Sequence, residues 1–194
     1  MMKKPQNWSD VKENDGGFQR LPAGGHPCVI KQAKLQTSRN GNEMLVLALD
    51  IASGEYAGYF AGQLDLRRQK NPDAKWPCLY YQLTGLDEGN ENPQYQGRLK
   101  HVIRMIEESN PGFQFDWDEA KLAGKKVGGV FREEEYANSR GGISVGIRCD
   151  RLDKLEGIEN AEAPARKAMD GQAASSAPAP APAAQAIHDD DLPF

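Results

Sequence analysis

The chain has 194 residues with a net charge of −4, enough for one domain plus a tail or for two small domains. No apolar run approaches the roughly 20 residues that span a bilayer, and Met1-Met2-Lys3-Lys4-Pro5 is not followed by the apolar stretch of a secretory signal, so no membrane association is expected. Cys28, Cys78 and Cys149 are odd in number and far apart, as are His26, His101 and His188; this argues against a disulfide framework or a zinc site and fits a reducing cytoplasm.

Residues 1–25 are polar, broken by Gly16-Gly17 and Gly24-Gly25, and read as a flexible N-terminal arm that Trp8 and Phe18 could pin to the body. A folded domain is expected over 26–158. Its first strand, 27–37, alternates imperfectly, so a bulge is expected. Asn40-Gly41 marks a hairpin. Leu45, Leu47, Leu49 and Ile51 then fall in step at period two along a second strand. A turn at Ser53-Gly54 leads into Tyr56–Ala61, which reads as the third strand of a meander. Arg67-Arg68-Gln69-Lys70 through Trp76 forms a basic loop containing an aromatic, followed by the short segment Leu79–Leu83.

Leu99, Val102, Ile103 and Ile106 lie at i, i+3, i+4 and i+7, which predicts a helix over Tyr95–Ser109 that Asn110-Pro111-Gly112 stops. Phe113, Phe115 and Trp117 read as packing residues, and Asp116 or Asp118 can cap a helical turn at Glu119–Lys121. Gly124–Tyr136 is the fourth strand, Ala137–Gly142 a hairpin loop, and Ile143–Cys149 the fifth strand. Three strands, a connection holding a helix, then a hairpin is the element order of an OB-fold. The expectation is therefore a mainly β, five-stranded barrel with one helix between strands 3 and 4.

Residues 159–188 are dominated by Ala, Pro, Ser and Gln and cannot supply a core, so a disordered linker is expected, with a reach on the order of 30 Å. It leads to Asp189-Asp190-Asp191-Leu192-Pro193-Phe194. From Glu159 onward the chain holds six acids and two bases, so the whole excess of −4 sits there. The preceding body keeps 22 of the 24 bases and 22 of the 28 acids. A neutral body can still present a basic face, but net charge does not argue for one.

No catalytic constellation is visible, and an enzyme is not expected. Glu133-Glu134-Glu135 on a strand cannot converge on one centre, because alternate residues face opposite ways; a solvated edge is the simpler reading. Single strands of nucleic acid need less exact machinery: aromatic faces for bases and Lys or Arg for phosphates. The candidates are Tyr56 and Tyr59 on the expected third strand, Lys34 and Arg39 at the first hairpin, Arg67, Arg68, Lys70 and Trp76 in the basic loop, and Arg140 in the last hairpin. Phe60 and Phe131 are assigned to the core. No cofactor or metal is expected.

The end Asp189–Phe194 cannot join a core, but it can dock on another protein, with the ring in an apolar pocket and bases around the carboxylates. It resembles the acidic tip of bacterial single-stranded DNA-binding proteins, which recruits replication, repair and recombination enzymes. The body looks like the small single-strand-binding proteins of phages and prophages. The matching stretches are Lys34 and Thr37–Leu45, Gly54–Phe60, and Gly124–Tyr136. The resemblance implies an OB-like fold, DNA coating without strong sequence preference, and recruitment through the tip; a homo-oligomer is compatible with it. The alternative is an adaptor that captures the same enzymes without touching DNA.

Overall fold

The computed structural model describes residues 20–169, apart from Asn90, Ser139 and Arg140. The remainder of the linker and the tip at 189–194 lie outside the described residues. Five strands form one antiparallel sheet: β1 (Gly24–Thr37), β2 (Glu43–Ile51), β3 (Leu79–Leu83), β4 (Lys126–Ala137) and β5 (Ile143–Asp153), in the order β3-β2-β1-β4-β5. Two helices interrupt them, α1 (Tyr59–Lys70) and α2 (Pro93–Glu108). The mainly β expectation holds. The expected closure does not: among the described residues no hydrogen-bonded ladder joins β3 to β5, and the sheet is open.

The strand β1 organises the sheet. Its first part pairs with β4, from Gly24↔Phe131 to Val29↔Lys126, and its length from Cys28 pairs with β2. The expected bulge falls between Ile30 and Gln32. Inward-facing Leu45, Leu47, Leu49 and Ile51 of β2 are buried with Cys28, Ile30, Phe131 and Leu152 in the core. Phe60 and Phe131 stack there at 5.9 Å, so both belong to the core as expected.

The expected third strand is the main correction. Tyr56 lies in a turn, and Tyr59–Ala61 open α1 instead of a strand. The cause is remote. Asp50, only 3% exposed, accepts from the backbone N–H of Phe60 at 3.0 Å and of Ile51 at 2.9 Å. It therefore satisfies a donor that the first turn of a helix leaves without a partner. Gly58, at φ 74°, turns the chain into the helix, where Phe60 and Leu64 are buried one turn apart. Consequently Arg67, Arg68 and Lys70 sit on the last turn of α1, not in a loop, and the third strand is Leu79–Leu83.

Helix α2 falls between β3 and β4, where a helix is expected, and starts two residues early. Asn92 accepts from Gln94 and Tyr95 N–H and Pro93 takes the first position, a strong start signal. Leu99, Val102, Met105 and Ile106 are buried along one stripe.

The body exceeds 26–158 at both ends. Leu21 is buried and β1 begins at Gly24. At the other end Ile158 is buried, and a strap continues to Met169 along β4. Lys167 N–H donates to Glu133 O, and Glu135 N–H donates to Lys167 O, both at 2.9 Å. Arg166 pairs with Glu135 at 2.8 Å, and Glu134 takes Lys167 at 2.9 Å and Arg148 at 3.0 Å. Glu134 and Glu135 therefore meet a strap rather than a fully solvated edge, while the Glu133 side chain stays exposed. Burial disfavours ionised Glu134, but the bonds from Lys167 and Arg148 outweigh it and hold the carboxyl below its ordinary 4.5. A depressed carboxyl stabilises the fold above its unfolded value, and that contribution is lost as pH falls through the folded value. Protection of the amides at 166–169, the exchange rate relative to that of the unfolded chain at the same pH, should therefore be high above about pH 5 and fall as pH drops below 4.5. Equal protection at both pH values would show that these pairs do not hold the strap.

Candidate nucleic-acid interface

Strand alternation sorts side chains on the β1–β2–β3 half of the sheet. Leu47 pairs Ala33 and Tyr80, all facing the core, whereas Val46 pairs Lys34 on one side and Tyr81 on the other. Lys34, Val46 and Tyr81 therefore form one row on the opposite face. Tyr81 is 45% exposed and Lys34 is exposed, while Val46 between them is covered. At a strand spacing of about 4.8 Å, an aromatic face and an ammonium stem stand roughly 10 Å apart. That separation suits one stacked base and a neighbouring phosphate. Tyr80 points the other way, and burial pushes its phenol up to about 12.

The same strand β2 supports α1, which packs against it and ends in Arg67, Arg68 and Lys70. Arg39 occupies the tip of the β1–β2 hairpin. Among the described residues Lys31, Lys34, Arg39, Arg67 and Arg68 are exposed and have no acid within ion-pair distance. On the β4–β5 half Arg132 pairs Asp150, Arg148 and Lys167 pair Glu134, and Arg166 pairs Glu135, while Lys126 and Arg151 stay exposed with no described acid within ion-pair distance. Exposed cations without an ion pair are thus more numerous on the β1–β2–α1 half of the body.

The expected contact residues divide accordingly. Lys34, Arg39, Arg67, Arg68 and Lys70 are gathered around β1, β2 and α1. Tyr56 and Tyr59 are not on a strand face. They meet each other edge-on at 6.3 Å, and both pack against the core. Tyr56 also lines an open cleft of about 520 Å³ shared with Glu55 and Glu159, whose carboxylates repel phosphate. Trp76 is half-buried, and its indole N–H donates to Leu49 O at 2.8 Å, so it fastens the loop to β2. Arg140 and Asp189–Phe194 fall outside the described residues. Sequence reasoning missed Tyr81. The signal was present, since adjacent tyrosines on a strand must face opposite ways, but Leu79–Leu83 carried no role.

The three thiols are all free and buried, and burial pushes each upward, Cys78 to about 12. None supplies a thiolate near neutral pH. Among the described residues no group of three His, Cys, Asp or Glu side chains is placed to hold a metal ion, and no helix is long and apolar enough to cross a membrane. The chain matches no known family model and no curated protein.

Proposed function

We propose that the protein binds single-stranded DNA, without catalysis and without strong sequence preference, in phage or prophage replication, recombination or repair. It recruits enzymes through Asp189–Phe194. The observation that carries this reading is the half-sheet that exposes Tyr81 and, with α1, keeps Lys31, Lys34, Arg39, Arg67 and Arg68 without ion pairs, while Arg132 and Arg148 of β4 and β5 are paired with Asp150 and Glu134. Stacking on a ring and salt-sensitive phosphate contacts are the two components of single-strand binding. An OB-type assignment is supported by the strand order, by a long bulged β1 shared between β2 and β4, and by the single helix between β3 and β4. It is further supported by the approach of β3 to β5, where the Cys78 thiol meets the Cys149 backbone. The OB-fold is a partly open barrel.

The test is binding of the full chain to poly-dT and to duplex DNA across a salt series. Binding to the single strand should dominate and fall with salt at roughly 0.7 log units per phosphate contact. Deleting 189–194 should leave this binding intact or slightly tighter and abolish capture of replication and repair enzymes. Unchanged capture would reject the role of the tip. The second reading, an adaptor that never touches DNA, is favoured by the equal numbers of acids and bases in the body and by the engagement of Trp76 in packing. Absence of poly-dT binding at low salt would establish it.

A further inference from the structure

Away from Tyr81, the connection from α2 to β4 exposes a second aromatic. Trp117 is 72% exposed. Among the described residues it is the one non-glycine with positive φ, at 68°. A bulky side chain in this region carries strain that the surrounding structure must sustain. The segment before it is fixed. Phe113 and Phe115 pack against the core, and Phe115 N–H donates to Glu107 Oε1 at 2.8 Å. The indole continues this line, 5.8 Å from the Phe115 ring.

Bases border the same line. Lys125 Nζ stands 4.3 Å from the centre of the Phe113 ring. Phe113, Lys125 and Lys126 line a shallow groove of about 520 Å³ between the end of α2 and the start of β4. Ile30 N–H donates to Lys125 O at 2.9 Å, and Gly124 N–H donates to Ile30 O at 2.7 Å, which sets this pair of lysines beside exposed Lys31 of β1. Asp116 and Asp118 share the single Lys121, and Glu119 of the same turn has no described ion pair, so the turn at the indole keeps a net negative charge and the phosphate contacts fall to Lys125 and Lys126, not to the turn itself. Lys31, Lys125, Lys126 and an aromatic ledge ending in Trp117 thus run on from the unpaired bases of β1.

We propose that this ledge is a second contact for single-stranded nucleic acid, with one base stacked on Trp117 and phosphates on Lys125 and Lys126. This inference rests on the single-strand-binding reading and extends it by lengthening the path of the bound strand. The αL backbone at Trp117 holds the indole out, so foldability and binding demand different residues at this position.

The experiment measures oligo-dT affinity, quenching of tryptophan fluorescence and thermal midpoint for the full chain and three variants. Trp117→Gly should melt no lower than wild type, because glycine adopts positive φ without strain, yet lose affinity roughly 5- to 150-fold. Trp117→Phe should retain most of the affinity and lose much of the quenching. The pair Lys125→Gln and Lys126→Gln should reduce the salt slope by about 1.4. Wild-type binding that all three variants reproduce would overturn the ledge and leave the face around Tyr81 standing. No wild-type binding at all would overturn both. Unchanged DNA binding with weakened capture of an enzyme would instead assign Trp117 to a protein partner.

Discussion

Alanine at Lys34, Arg67 and Arg68 together will weaken oligo-dT binding roughly 10- to 150-fold at moderate salt and lower the salt slope by about 2. This takes about 0.5–1 kcal/mol per exposed charge contact and one phosphate per base. The three side chains are exposed and no described acid pairs with them, so their removal should leave the thermal midpoint within about 2 °C. Removing Arg148 is the matched control. It strips one partner from Glu134, where two bases converge on a carboxylate that is mostly covered. That variant should loosen the strap and leave DNA affinity close to wild type. If Arg148→Ala weakens DNA binding as much as the triple variant, the assignment of the DNA contacts to the bases without ion pairs is wrong.

Gly25→Ala will destabilise the body by roughly 1.5–3 kcal/mol, through undocking of the turn at Ile158–Asn160. A Cβ at Gly25 would stand 1.7 Å from the carbonyl oxygen of Ile158 and 3.0 Å from the Ala161 Cβ. Backbone cannot yield by more than an ångström within a paired strand, since Gly25 is held opposite Val130. The turn must leave, and with it the buried Ile158 side chain, whose burial is worth about 1.5–3 kcal/mol. The midpoint should drop by roughly 3–12 °C, and amides from 158 to 169 should lose protection together. Gly62→Ala tests the same chemistry where there is room. Gly62 lies inside α1 with nothing near its would-be Cβ, so alanine there should stabilise by about 0.4–1 kcal/mol. Retained protection at 158–169 in Gly25→Ala would show that the strap is held from β4 alone.

The local rules worked where one segment contains its own reason. The hairpin at Asn40-Gly41, the alternation of Leu45, Leu47, Leu49 and Ile51, and the stripe of α2 with its stop at Asn110-Pro111-Gly112 are short-range patterns, and each element formed where the pattern lies. Phe60 and Phe131 were legible as core because they are large and apolar. The run Tyr56–Ala61 was not legible, because its helix starts on a carboxylate ten residues upstream in a different strand. The strap was not legible either. Alanine, proline and charge from 161 to 169 cannot build a core, yet two backbone hydrogen bonds and two ion pairs need no core, only an edge with acids on it.

The candidate site divides along the same line. The amino-acid sequence by itself determined that bases cluster at 67–70 and around the first hairpin and that the negative excess lies after residue 158. Which bases remain available was decided only by tertiary structure, because ion pairing joins residues far apart in the chain, such as Arg148 with Glu134 and Arg132 with Asp150. The same holds for the aromatics. Trp76 bonded to Leu49 and Tyr56 beside two carboxylates lose their availability to neighbours that no local pattern names, while strand pairing turns Tyr81 outward beside Lys34.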